Sequence, residues 1–321
     1  MKSLKDVYAP YFKIGAAVNR RTIKSHRDLI LSHFNSMTCE NEMKYGSLCD
    51  EKGNYDTSGA DEIYEFAVIN DLGLRGHTLV WHNQTPQYVF AENDSGLLLD
   101  RLANHMQFVS ERYQKNTYEW DVVNEAIDDK TEAYLRDSKW LEILGDDFIV
   151  KVFKLAGKYF PDKKLFYNDY NETNPVKRVK IARLVKELQD KGAPIHGIGF
   201  QAHYNIFEPN LDEIREAYEF YASLGLKISV TEMDISVFKF EDHSSIPEPT
   251  ADLIEKHAEL YRQCFKLFRE YSEIIESVTL WGVADDATWL DHFPARNRKN
   301  WPLLFDTNHQ PKEAFHRVVD F

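Results

Sequence analysis

Cysteine is scarce in this chain: Cys39, Cys49 and Cys264 are the only three in 321 residues, and no two stand in a C-x-x-C pair. An odd number without paired spacing argues against a disulfide framework or a structural zinc site and suits a reducing compartment. Long apolar runs are missing too. No stretch is long enough to span a bilayer, and Met1-Lys2-Ser3-Leu4-Lys5-Asp6 leads into no apolar signal core with a small-residue cleavage site. The expectation is a cytoplasmic protein without a membrane partner. Positive charge is in deficit, with 39 Lys and Arg against 52 Asp and Glu and a formal net charge of −13. Nucleic acid needs a basic face and is excluded as a partner. Acidity of this size also keeps a protein soluble, so it excludes partners without naming one, and a neutral substrate fits best. The oligomeric state is not readable.

Several catalytic signatures are absent as well. The first β-rich run leads into Gly15-Ala16-Ala17-Val18-Asn19, with no G-x-G-x-x-G. There is no G-x-S-x-G elbow, which removes the usual serine hydrolase reading. His77 and His82 are five apart on a candidate strand and so point to opposite faces, and the H-x-H of metal-dependent barrel hydrolases is missing. No metal and no cofactor are expected.

What the sequence does hold is an alternation of short β-rich runs and amphipathic helical stretches, without low complexity, linkers or strict repeats. The strands are expected at Phe12–Val18, Ser36–Asn41, Leu74–Trp81, Trp120–Glu125, Lys164–Asp169, His196–His203, Lys227–Asp234 and Ser277–Val283. The helices are expected at Thr22–Phe34, Ala60–Leu72, Leu97–Tyr113, Phe148–Phe160, Pro175–Lys191, Leu211–Leu224, Asp252–Tyr271 and Pro311–Val319. Gly73, Gly192 and Gly225 fall where helix C-caps belong, and Pro175 and Pro311 where helices begin. Eight strands alternating with eight helices predict a parallel sheet, and eight is the number that closes a barrel. A doubly wound open sheet would want fewer units and a glycine-rich phosphate loop. The reading is therefore an α/β protein, a (β/α)8 TIM barrel, with residues 1–321 as one catalytic domain.

In such a barrel, chemistry collects at the C-terminal ends of the strands. There this chain carries Glu40-Asn41-Glu42-Met43-Lys44, then His77, Trp81, His82 and Gln84, then Asn124-Glu125 and Tyr167-Asn168-Asp169. Gln201-Ala202-His203, Glu232-Met233-Asp234 and Trp281 follow. Any one of these serves equally well as a capping or solvated residue; Trp81 and Trp281 would pass as core aromatics and Lys44 as a surface lysine. Together they make a rim of aromatics and hydrogen-bonding groups that suits a sugar. Glu125 and Glu232 lie in apolar runs on the fourth and seventh strands. Glycosidic hydrolysis needs such a pair, one carboxyl protonating the leaving oxygen and the other attacking or activating water. His203 and Asp234, from adjacent strands, are placed to hydrogen-bond Glu232 and keep it ionised. Asn124 is placed to bind the 2-hydroxyl. The carboxylate gap that separates retention from inversion is not readable.

These motifs resemble glycoside hydrolase family 10, the endo-1,4-β-xylanases, over nearly the whole chain. The resemblance rests on Glu40-Asn41-Glu42-Met43-Lys44, Arg75-Gly76-His77-Thr78-Leu79-Val80-Trp81-His82 and Trp120-Asp121-Val122-Val123-Asn124-Glu125. It continues through Gly197-Ile198-Gly199-Phe200-Gln201-Ala202-His203, Thr231-Glu232-Met233-Asp234 and Trp281-Gly282. It implies Glu125 as acid/base and Glu232 as nucleophile of a retaining double displacement on xylan or xylo-oligosaccharide, without cofactor. It further implies that Glu40, Asn41 and Lys44 bind the sugar two units from the cut on the non-reducing side. His77, Trp81, Gln84, Asn124, Gln201 and His203 would line the −1 and −2 subsites, Trp281 and Trp289 the glycone wall, and Tyr167 would reach toward the +1 sugar. The chain is especially similar to intracellular members that process short xylo-oligosaccharides. It departs at Cys39, where relatives commonly have Ala, and at Ala287, where they often carry a larger polar residue; the second puts the shape of the glycone wall in doubt. Two other readings remain: a barrel with the same glutamates acting on cello-oligosaccharides or aryl β-glycosides, and a barrel that binds oligosaccharide without cutting.

Overall fold

The computed structural model describes residues 2–321. Its strand segments are β1 (Lys13–Val18), β2 (Ser36–Cys39), β3 (Gly73–Gly76), β4 (Val80–Trp81), β5 (Thr117–Asn124), β6 (Lys164–Asp169), β7 (Gly197–Phe200), β8 (His203–Asn205), β9 (Lys227–Ser236) and β10 (Ile275–Leu280). All pair in parallel, and β10 bonds both β9 and β1, so the sheet closes on itself. The ten segments make eight staves, because β3 and β4 share one neighbour, β5, and β7 and β8 share β9. With helices between the staves this is a (β/α)8 barrel.

The local sequence explains the elements. The staves are covered on both faces, so β9 is buried at every position from Ile228 to Ser236 and reads as a nearly continuous run. The helix Ser95–Tyr113 buries Leu98, Leu102, Met106, Val109 and Tyr113, a single stripe at helical spacing. Each such leucine stabilises the fold by about 1.5–3 kcal/mol on burial. Asn174 caps the helix that starts at Pro175, accepting from the amides of Val176 and Lys177. Asn210 and Glu213 form a reciprocal capping box.

Five expectations are corrected. The stave over residues 74–81 is split, because after Gly76 the chain turns to bond Asp121, whose carbonyl accepts from Leu79 N at 3.0 Å and Thr78 Oγ1 at 3.0 Å. The stave over 196–203 breaks at Ala202, which sits at φ 56°. The first helix divides into Thr22–Ser25 and Arg27–His33, because His26 leaves helical geometry and turns its ring onto Asp286. The last helix begins at Glu313 rather than Pro311, which bridges Phe305 in extended backbone. Of the three glycines assigned to helix ends, Gly192 and Gly225 have positive φ, but at the third site Asp71 takes that conformation and Gly73 already belongs to β3.

A charged layer crosses the barrel interior beneath the rim. Arg75, fully buried, donates to Glu119 at 2.6 Å and with two N–H groups to Asp121. Asp121 also meets His77 Nδ1 at 2.8 Å, and Ser229 donates to Glu119 at 3.1 Å. At the opposite face the two ends of the chain lie together. Tyr8 donates to the Val318 carbonyl at 2.7 Å, and Lys2 pairs with Asp320 at 3.0 Å.

Candidate active site

One row of register runs across four staves. Trp81 pairs with Asn124, Asn124 with Asn168, and Asn168 with Gly199. The row places a chain of amides across the barrel mouth. Asn168 Nδ2 donates to Asn124 Oδ1 at 2.9 Å and to Glu232 Oε1 at 2.8 Å. Gln201 Nε2 donates to Glu125 Oε1 at 2.9 Å and to Asn124 Oδ1 at 3.2 Å. Glu125 and Glu232, at the ends of different staves, are thereby tied into one network. A Cβ at Gly199 would stand 2.1 Å from Asn168 Oδ1, so only glycine leaves room for that side chain.

Glu125 follows β5 with φ 57°, a conformation that non-glycine residues hold only where the surroundings enforce it. Its amide donates to the Asn168 carbonyl at 2.9 Å, and its own carbonyl accepts from Arg136 Nε at 2.8 Å. The next two amides, Ala126 and Ile127, donate to the Tyr167 hydroxyl at 3.0 and 2.9 Å. The carboxylate accepts from Trp81 Nε1 at 2.9 Å on one oxygen and from Gln201 and Asn124 on the other.

Glu232 is nearly buried within β9. Burial alone would raise its carboxyl, but the His203 hydrogen bond at 3.3 Å and the charges of His77, His203 and Lys44 hold it down to about 2. His203 is the reciprocal case. Burial works against its charge, yet Asp234 at Nδ1 (3.0 Å) and Glu232 at Nε2 outweigh it and lift the imidazole to about 10. The site therefore holds one carboxylate that stays ionised and a second on another stave whose two oxygens both meet donors. Such a pair is what glycosidic hydrolysis requires.

Around them stand polar and aromatic groups. Lys44 donates to Asn41 at 3.0 Å and lies 4.8 Å over the Trp81 ring. Burial lowers its ammonium against the pull of Glu232, Glu40 and Glu125. Asn19 donates to Glu40 at 2.9 Å. Trp289 donates to Asp234 at 2.7 Å, and its ring lies 5.0 Å from that of His203; Trp281 packs edge-on to His77 at 5.5 Å. Gln84 is exposed at the rim with φ 46°, its carbonyl accepting from Gly46 N at 2.6 Å. A cavity of about 510 Å³ opens between Asn19, Glu40, Ala287, Trp289 and Arg298.

A profile of glycosyl hydrolase family 10 matches residues 3–321. The chain belongs to that family. Endo-1,4-beta-xylanase B of Paenibacillus barcinonensis is 51% identical to it over 323 residues, covering 99% of this chain and 97% of that relative. An endo-1,4-beta-xylanase of Geobacillus stearothermophilus is 50% identical, covering 99% and 98%. A variant structure solved in complex with xylotriose superposes with a TM-score of 0.97 at 47% identity, covering 100% of both chains. As a family 10 member this chain is a glycosyl hydrolase of a family that acts with retention.

One position expected from the family 10 resemblance lies elsewhere. Tyr167 does not reach toward a +1 sugar, because its ring is fully buried and its hydroxyl is taken by the Ala126 and Ile127 amides and by Asp169. Side chains alternate along a strand, so with Asn168 turned into the barrel Tyr167 and Asp169 share the outer face. Asp169 is paired there with Lys177 at 2.8 Å, and burial pushes its carboxyl up to about 6. Three residues the sequence reading did not assign to the site also belong to it: Asn168 on Glu232, Asp121 on His77, and Arg136 behind Glu125. The glycine opposite Asn168 in register was the available signal for the first. Arg136 carries none, since it arrives from the loop 11 residues beyond the glutamate whose carbonyl it binds.

Proposed function

We propose that this chain is an endo-1,4-β-xylanase acting by double displacement on xylo-oligosaccharides, with Glu125 as acid/base and Glu232 as nucleophile and the whole chain as one catalytic domain. The observation that carries the role assignment is the His203–Asp234 pair behind Glu232, which keeps that carboxylate ionised and therefore nucleophilic. Glu125 is the partner that protonates the departing oxygen and then draws a proton from water. Asn124, bonded to both Gln201 and Asn168, presents its remaining capacity to the 2-hydroxyl, where bonds tighten in the transition state. Glu40, Asn41, Lys44 and Gln84 bind the glycone sugars with His77, Trp81 and Gln201, under a wall of Trp281 and Trp289. The xylanase names of the relatives and the xylotriose in the solved variant support a xylose-chain substrate. Three buried thiols suit a reducing compartment and support a cytoplasmic role on short oligosaccharides. Among the described residues no helix is long and apolar enough to cross a membrane.

The test is proton NMR of a short linear xylo-oligosaccharide during hydrolysis, with Glu232→Ala and Glu125→Ala beside the parent. The β-anomer appears first, and both variants lose activity. The α-anomer appearing first would exclude double displacement. Cleavage of a cello-oligosaccharide in place of the xylo-oligosaccharide would leave the chemistry and remove the substrate.

A further inference from the structure

Three ligand-type side chains meet above the seam where β1 and β10 close the barrel. His26 interrupts the helical segment after β1, Asp286 lies in the turn after β10, and His309 comes from the turn before the last helix. Asp286 Oδ1 is 2.8 Å from His26 Nε2 and 3.4 Å from His309 Nε2, and one donor atom of each residue lies within 4.8 Å of the other two.

The proton count at this point is informative. With the Ser25 hydroxyl donating to the Arg21 carbonyl at 3.1 Å, its oxygen is free to accept from His26 Nδ1–H at 2.7 Å. His26 Nε2 then carries a lone pair toward the carboxylate unless the ring is doubly protonated. His309 aims its own Nε2 at the same oxygen, with the two ring centres 4.3 Å apart. Two imidazolium ions that close repel, and in the tautomer set by Ser25 a neutral His26 presents a lone pair to an oxygen that also carries only lone pairs. A proton or a metal ion between them relieves that contact, and only a metal ion engages all three groups at once.

We propose that His26, Asp286 and His309 form a site for a single divalent transition-metal ion of the zinc type. Bonds of about 2.0–2.1 Å in a tetrahedron set neighbouring donor atoms about 3.4 Å apart. The Asp286–His309 spacing already meets that, and the His26 side opens by about half an ångström to reach it. His26 is buried and its ring fixed by Ser25, as a ligand whose second nitrogen is hydrogen-bonded should be. Asp286 and His309 are each one-third exposed, which gives the ion a way in and leaves a fourth position for water. The set, two imidazoles and one carboxylate, is borderline-soft and favours zinc over calcium or magnesium. The ion would pin the turn that continues through Ala287 to Trp289, one wall of the cavity beside Glu40. The inference stands whether or not the hydrolytic roles of Glu125 and Glu232 hold.

The test uses the chelator-stripped full chain, titrated with zinc by calorimetry and with cobalt(II) by visible absorption, alongside thermal unfolding. His309→Ala and Asp286→Asn change exposed ligands and leave the fold intact; His243→Ala is an exposed histidine outside the cluster. The parent and His243→Ala take up one zinc per chain, give a tetrahedral cobalt band and unfold at higher temperature with metal. Both cluster variants lose affinity by about tenfold or more. Failure of the parent to bind zinc, or binding that is undiminished in His309→Ala and Asp286→Asn, overturns the site.

Discussion

At the scale of single residues, the charge state of Glu232 depends most on His203, with His77 and Lys44 adding to it. A carboxyl held down to about 2, against an ordinary 4.5, adds stability that is fully present above 4.5 and is lost as pH falls through about 2. His203, raised to about 10 from 6.5, adds stability that is complete below 6.5 and is lost as pH rises through about 10. Both contributions are complete between pH 4.5 and 6.5. In His203→Asn the carboxyl keeps its burial and loses its main partner, so the acid limb of kcat/KM moves up by about one pH unit or more. A pH profile of parent and variant checks this, and an unmoved limb would assign the depression to His77 and Lys44 instead. Gly199→Ala tests the amide row. The added methyl expels Asn168 from its place between Asn124 and Glu232, and kcat falls by about 100-fold while the spectrum of the folded protein is retained.

At the scale of elements, the two interrupted staves are the neighbours of those that carry Glu125 and Glu232. Alternation and cap residues made the eight-fold pattern legible, because staves buried on both faces must be apolar and helices must show a stripe. The interruptions were not legible: the break after Gly76 follows Asp121, a partner far away in sequence, and Ala202 takes a left-handed turn, closed by the Tyr204 amide on its carbonyl, at a residue type that does not announce one. The same limit applies to the site. Glu125, Glu232, His203 and Asp234 stood out as polar residues ending apolar runs. Tyr167 misled because strand alternation was not carried through to which face Asn168 takes. The charged layer of Arg75, Glu119 and Asp121 supports the break after Gly76 and holds His77. Arg75→Met leaves two buried carboxylates without their partner, and the unfolding free energy drops by about 3–5 kcal/mol. A shift of the urea midpoint measures it; a change under about 1 kcal/mol would mean the layer accepts neutralisation at little cost.

At the scale of the whole molecule, the net charge of −13 acts on substrate choice through the long-range field rather than through any contact. Hydrolysis of a neutral linear xylo-oligosaccharide therefore changes less than about twofold in kcat/KM between low and moderate salt. A glucuronate-bearing oligosaccharide is repelled and gains as salt screens the field, and equal salt responses would refute this. The pairing of Tyr8 with Val318 and of Lys2 with Asp320 has a practical side. Lys2 and Asp320 are thus neighbours on the side facing away from the rim. A peptide ligase could join them into a ring with a few added residues, or either could be anchored to a solid support, and the mouth that receives the sugar chain would stay open to solution.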